Sequence, residues 1–169
     1  HSVTTEYNVS AVHVRSTLEA LRHLGMPVVL LWPNEDGGSS AISREIRKLR
    51  EVGTDFPLRV IKNLPMDVYI TLMAQTSCLI GNSSSGIREG AFIGTPVVNI
   101  GSRQNARERG ENVITVPNCT KQILDAINKQ VKHGRYKQNH IYGDGSAGDK
   151  IAKILNEIND VKIQKQITY

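Results

Sequence analysis

The sequence predicts an α/β protein: one doubly wound parallel sheet with helices on both faces, three layers in all. Three observations predict it. Short apolar runs recur at 27–32, 58–61, 78–80, 96–100 and 113–116, stretches with apolar residues at helical spacing separate most of them, and glycine or proline marks the junctions. A run without polar alternation implies a strand covered on both faces, the condition of a parallel sheet. Strand alternating with helix then calls for right-handed crossovers between parallel neighbours.

Taken in order, residues 9–24 carry Val9, Val12, Leu18, Leu21 and Leu24 at helical spacing, and Gly25 ends that helix. Pro27 opens the continuous apolar strand 27–32, and a loop over 33–40 leads to a helix over 41–52. A strand at 58–61, a short helix over 65–75, a strand at 78–80 and a helix over 85–93 follow. Strands at 96–100 and 113–116 precede a helix over 120–131. Residues 132–148, rich in Gly, His, Asn and Tyr, read as a loop, and a final amphipathic helix is expected over 149–158. Internal repeats, low-complexity tracts and interdomain linkers are not evident.

Composition narrows the function classes. A chain of 169 residues can bury one sizeable core, and 39% hydrophobic with 22% charged residues fits a soluble globular domain. No apolar run approaches the roughly 20 residues of a membrane span, so no membrane association is expected. No secretory signal is visible, although a chain opening on His1 has no native start and its upstream sequence goes unread. Cys78 and Cys119 offer neither a metal spacing nor a disulfide framework, which points to a reducing cytoplasm and to no metal. The net charge of +5 comes from basic residues interleaved with acids, as in Arg44-Glu45-Ile46-Arg47-Lys48-Leu49-Arg50. With aromatics at only 5%, stacking platforms for nucleic acid are not expected, and a mild positive field suits a nucleotide equally well.

The chemistry concentrates in Gly81-Asn82-Ser83-Ser84-Ser85-Gly86-Ile87-Arg88-Glu89, between the strand at 78–80 and the helix after it. A turn of glycine and hydroxyl residues entering a helix leaves backbone N–H groups free to meet an anion, although Ser and Asn there are also ordinary N-caps. The next strand ends in Gly101-Ser102-Arg103-Gln104-Asn105-Ala106-Arg107-Glu108-Arg109-Gly110-Glu111-Asn112. In an open α/β sheet ligands gather outside the carboxyl ends of the strands, so a hydroxyl-rich exit beside an Arg-rich one suggests a diphosphate. The turn has neither the three-glycine dinucleotide spacing nor the Gly-Lys of a P-loop, which argues against NAD and ATP.

These two segments, with Gly94-Thr95-Pro96-Val97-Val98-Asn99 between them, closely resemble the carboxyl-terminal domain of UDP-N-acetylglucosamine 2-epimerases. The resemblance is nearest to the hydrolysing branch of sialic acid synthesis. His1-Ser2-Val3-Thr4-Thr5-Glu6 is similar to that branch's His-Pro-Val-Thr-Thr segment, with Ser2 in place of proline, and Tyr142-Gly143-Asp144-Gly145 to its late Tyr-Gly-Asp-Gly. The resemblance implies that residues 1–169 form the second Rossmann-like half of a GT-B enzyme. The first half, with the acid and base carboxylates, is then absent from this chain.

The resemblance also assigns roles, each beside a plainer one. Ser83 and Ser84 would hold the diphosphate, against simple capping, with Asn82 beside them among the nucleotide-binding residues, and Gly86 would let backbone approach it. Glu89 would accept the ribose hydroxyls, although a first-turn carboxylate is favoured there in any case. Arg103 offers a bidentate fork to phosphate, or pairs with Glu108 or Glu111 on the surface; Arg107 is the next choice, ahead of Arg88 and Arg109. Asn34 would contact the nucleotide from an ordinary Asn-Glu-Asp-Gly-Gly turn. Asn63 and Leu64 would meet the uracil ring through their backbone. His1 aligns with a histidine placed near the diphosphate or sugar, making it the one candidate catalytic residue. His13, His23, His133 and His140 show no ligand spacing.

The reaction so implied is hydrolysis of UDP-N-acetylglucosamine to N-acetylmannosamine and UDP without a cofactor, by a cytoplasmic enzyme that is a homo-oligomer at full length. A GT-B glycosyltransferase domain and a non-catalytic UDP-sugar sensor are the alternatives.

Overall fold

The apolar runs form five short parallel strands in the computed structural model, which describes residues 1–158. Strand β1 (Val28–Leu31) pairs with β2 (Leu58–Ile61), Val28 opposite Leu58 and Leu31 opposite Ile61. Strands β3 (Leu79–Gly81), β4 (Val97–Ile100) and β5 (Val113–Val116) form a second parallel sheet in that order. The α/β class and the parallel pairing are those the sequence predicts. One feature differs: the ladder is interrupted between β1 and β3, leaving sheets of two and three strands in place of one.

Seven α-helices connect the strands among the described residues: α1 (Ser10–Leu24), α2 (Ser39–Val52), α3 (Met66–Gln75), α4 (Ser84–Ile87), α5 (Glu89–Ile93), α6 (Thr120–His133) and α7 (Ala147–Glu157). A 3-10 stretch, Thr4–Val9, leads into α1. Gly25 ends α1 as expected, its φ of 65° letting its N–H reach back to the Leu21 carbonyl. The single helix expected over 85–93 is instead two short ones, because ψ of −74° at Arg88 swings the backbone out of helical register. No helix of the described residues is long and apolar enough to cross a membrane.

The core forms where α1 and α6 lie on the three-stranded sheet. Ala20 and Leu21 of α1 and Ile123, Ala126 and Ile127 of α6 pack with Val98 and Ile100 of β4 and with Phe56. Burying each large aliphatic side chain contributes about 1.5–3 kcal/mol. All four residues of β4 are buried, because β3 and β5 cover its edges and the helices its face. Burial also pushes the Cys78 thiol up to about 12, which leaves it inert as a nucleophile.

A polar network locks this half together. Buried Gln130 donates to the carbonyls of Val97 (2.7 Å) and Asn112 (2.8 Å) and accepts from the Tyr136 hydroxyl (2.7 Å). Arg135 donates to the carbonyls of Met73, Ala74 and Thr76, satisfying the carboxyl end of α3, and to Thr95 Oγ1. The segment read as a loop after α6 is therefore pinned in place: Tyr136 N donates to Gly94 O (2.9 Å) and Asn139 N to Ala91 O (3.0 Å). Helix α7 begins at Ala147, two residues before its expected start, and none of its residues is buried.

Candidate nucleotide site at the strand exits

The carboxyl ends of β3 and β4 meet at Asn82, the residue that follows β3. Its carbonyl accepts from Arg103 Nη1 (3.1 Å) and Gln104 Nε2 (2.8 Å), both in the loop after β4. Its side chain receives the terminal amine of His1 at Oδ1 (2.8 Å) and donates through Nδ2 to the His1 carbonyl (2.8 Å). Asn82 thus clamps the amino-terminal segment to two strand exits. Burial holds the His1 amine below its ordinary pKa, the nearby Arg103 guanidinium lowers it further, and Asp36 opposes both.

The serine turn adds hydroxyls beside this clamp. Ser83 is the N-cap of α4, its Oγ accepting from Ser85 N (3.4 Å) and lying 2.9 Å from Ser85 Oγ. Tyr69 of α3 reaches Ser85 Oγ at 2.6 Å, which orients that hydroxyl from the far side. Ser84 begins α4, half-buried, and Glu89 is exposed at the start of α5.

Gly86 is buried against the sheet. A Cβ there would lie 2.7 Å from Leu79 Cδ2 and 3.0 Å from Val97 Cγ1, so its missing side chain is what seats α4 on the sheet.

A cavity of 680 Å³ opens beside the turn, and His1, Asn34, Asn63, Leu64, Asn82 and Ser83 all line it. The sequence-derived candidates from β1, β2 and β3 therefore meet at one mouth, with Arg103 joined to them through Asn82. Asn63 is exposed, and its Oδ1 accepts from Leu64 N (2.9 Å). Arg107 is exposed and outside the cavity lining. Arg109 has a structural task, donating to Gln104 O (2.9 Å) and Thr115 Oγ1 (3.0 Å), and so holds the loop that carries Arg103.

Three supports went unread in the sequence. Gln104, 1% exposed, anchors the Asn82 carbonyl, and its place beside Arg103 was the available signal. Tyr69 comes from α3, and nothing local connects it to Ser85. Glu6 accepts from Ser102 and faces His13 at 3.8 Å, tying the 3-10 stretch to the β4 exit. Around the mouth, His1 Nδ1, Ser2 Oγ and Ser10 Oγ are buried without a hydrogen-bond partner among the described residues. Among those residues no cluster of His, Cys, Asp or Glu has metal-binding geometry.

The family model described as UDP-N-acetylglucosamine 2-epimerase matches residues 1–156. The chain belongs to that family. A UDP-N,N'-diacetylbacillosamine 2-epimerase (hydrolyzing) of Legionella pneumophila is 33% identical over 94% of this chain and 41% of its own length. A UDP-N-acetylglucosamine 2-epimerase of Neisseria meningitidis is 28% identical over 98% of this chain and 44% of its own length. A GDP/UDP-N,N'-diacetylbacillosamine 2-epimerase (hydrolyzing) of Campylobacter jejuni is 38% identical over 48% of this chain and 20% of its own length. The chain spans less than half the length of these relatives. Hydrolysing members therefore stand among the relatives of this epimerase-family chain, and the parallel α/β architecture is that of a Rossmann-like GT-B half.

Proposed function

We propose that this chain is the nucleotide-binding half of a hydrolysing UDP-N-acetylglucosamine 2-epimerase, converting UDP-N-acetylglucosamine and water to N-acetylmannosamine and UDP. The observation that carries the reading is the convergence on Asn82: the exits of β3 and β4 and the segment at His1 share that one residue, with the serine turn alongside. In the elimination route of the family, C2 gives up its proton and the C1–O bond breaks with its electrons passing to UDP, leaving a glycal. Water then adds its hydroxyl to C1 and a proton to C2 from the opposite face.

The part of that route open to this chain is holding the leaving group. Negative charge grows on the departing diphosphate, and fixed donors aimed at it lower the barrier more than they favour the ground state. Arg103 would supply a charged fork, Asn82, Ser83 and Ser84 neutral donors, with Arg107 as the second candidate cation. Asn34, Asn63 and Leu64 line the side where a uracil would lie, and Glu89 would take the ribose diol. Gly86 serves by seating the turn. His1, with Nδ1 unpaired at the mouth, is the candidate to touch the sugar or diphosphate. The carboxylates near strand exits, Glu35, Asp36 and Asp67, have no spacing that marks a base for C2, so turnover is expected to need residues outside this chain. The sugar is N-acetylglucosamine or a diacetamido relative of the kind in the name of the Legionella protein.

Calorimetric titration with UDP, with GDP and NAD as controls, tests the reading. Selective UDP binding, weakened by about 1.5–3 kcal/mol in Arg103→Ala as for a charge-assisted bond, is expected. No UDP binding, or equal affinity in the substituted protein, would sink the assignment. Release of UDP from the sugar nucleotide by this chain alone would overturn the division of labour.

A further inference from the structure

A run of hydroxyls crosses from α3 into the serine turn. Tyr69 Oη lies 2.6 Å from Ser85 Oγ, and Ser85 Oγ lies 2.9 Å from Ser83 Oγ. All three residues line the same cavity.

Both ends of the run are held by the fold. The carbonyl of Met73, one turn further along α3, accepts from Thr95 Oγ1 (2.8 Å) and from Arg135, which fixes the helix that carries Tyr69. The serine turn is seated through Gly86, where a Cβ would meet Leu79 and Val97. Hydroxyls strung between two fixed elements keep one geometry.

The protons give this run a direction. A hydroxyl carries one proton and two acceptor lone pairs, so three hydroxyls bring three protons to two contacts and one proton is left over. Tyr69 Oη has Ser85 as its one hydrogen-bond partner among the described residues, and a phenol is a stronger donor than an alcohol. Tyr69 therefore donates to Ser85, and Ser85 donates to Ser83. Ser83 Oγ also accepts from Ser85 N (3.4 Å), so both of its lone pairs are occupied. Its own proton is the one left over, with no acceptor among the described residues, at the wall of the cavity.

We propose that Tyr69 is a positioning residue for the diphosphate: acting through Ser85, it makes Ser83 a pure hydrogen-bond donor, set to meet an oxygen that carries no proton. This role rests on the nucleotide reading and adds to it a source of selectivity. An anionic phosphate oxygen accepts and never donates, and a donor fixed beforehand meets it without the cost of turning the hydroxyl as charge arrives. With phenylalanine at position 69 the run loses its donor end. Ser83 is then free to donate to Ser85, and its proton faces the cavity for only part of the time.

The test is titration of UDP and of uridine into the parent chain, Tyr69→Phe, Ser85→Ala and the double variant, followed by amide shifts. Tyr69→Phe and Ser85→Ala should each weaken UDP binding by about five- to tenfold and leave that of uridine, which has no phosphate, unchanged. Because both substitutions act on one run, the double variant should bind UDP no more weakly than the worse single variant. A parent chain that binds UDP, with equal affinity in Tyr69→Phe, would overturn this role and leave the nucleotide reading standing. So would a parallel loss of uridine binding, which would make Tyr69 a packing residue, or losses that simply add in the double variant. A parent chain that takes up no UDP would remove the nucleotide reading and this role together.

Discussion

β1 and β4 are near twins in sequence and opposites in environment. Val28-Val29-Leu30-Leu31 is wholly apolar, yet Val29 is 43% and Leu31 38% exposed, whereas Val97-Val98-Asn99-Ile100 is buried throughout despite its asparagine. The difference lies in their neighbours. β4 has a strand on each edge and α6 on its face; β1 has a strand on one edge and the open gap on the other. An apolar run states that a strand is meant to be covered, and only the assembled sheet decides whether it is.

The well-covered half should be the intolerant one. The largest effect is expected at Gly94, where φ is 77° and a Cβ would sit 2.2 Å from the Tyr136 carbonyl. Gly94→Ala should cost roughly 3 kcal/mol or more in chemical denaturation, combining backbone strain with a clash against backbone. A loss below about 1 kcal/mol would mean that the segment after α6 is not pinned as described.

Gly86→Ala should cost about 1–2 kcal/mol, because Leu79 Cδ2 can move aside but Val97 has no room to yield. Val29→Thr, in the uncovered half, should stay within about 0.5 kcal/mol, as at other exposed positions. If that substitution is as damaging as Gly86→Ala, the contrast between the two halves fails.

The smallest effect is electrostatic. Hydrogen bonds from Arg15 (2.9 Å) and Lys48 (3.0 Å) hold the Glu45 carboxyl down to about 2. A depressed folded-state value makes this contribution present above the ordinary carboxylate range near pH 4.3 and lost as pH falls through about 2. Glu45→Gln should flatten stability over that acidic window, with the difference from the parent shrinking at high salt because both cations, Arg15 and Lys48, are solvent-exposed.

Much of the architecture was legible because periodicity reports local geometry. The strands at 58–61 and 113–116 and the helix beginning at Thr120 stand where the pattern puts them. The split of the helix over 85–93 was not legible, since Arg88 carries no sequence mark of a broken turn. Nor was the interruption between β1 and β3, which depends on what lies beside each edge. In the site, the residues drawn from strand exits gather as the crevice rule expects: Asn34, Asn63, Leu64, Asn82 and Ser83 share one mouth. Tyr69 and Gln104 escaped because their roles are set by tertiary contact, as is the close packing of Gly86 on the sheet.

The central claim is that a uridine diphosphate lies across these exits, and residue-resolved amide shifts on titration with UDP test it most directly. The account predicts shifts at Asn34, Asn63, Leu64, Asn82, Ser83, Ser84 and Arg103, with Gln130 and the rest of α6 unmoved. Saturating UDP that leaves the serine turn silent, or that shifts residues of α6 and α7 instead, would contradict it.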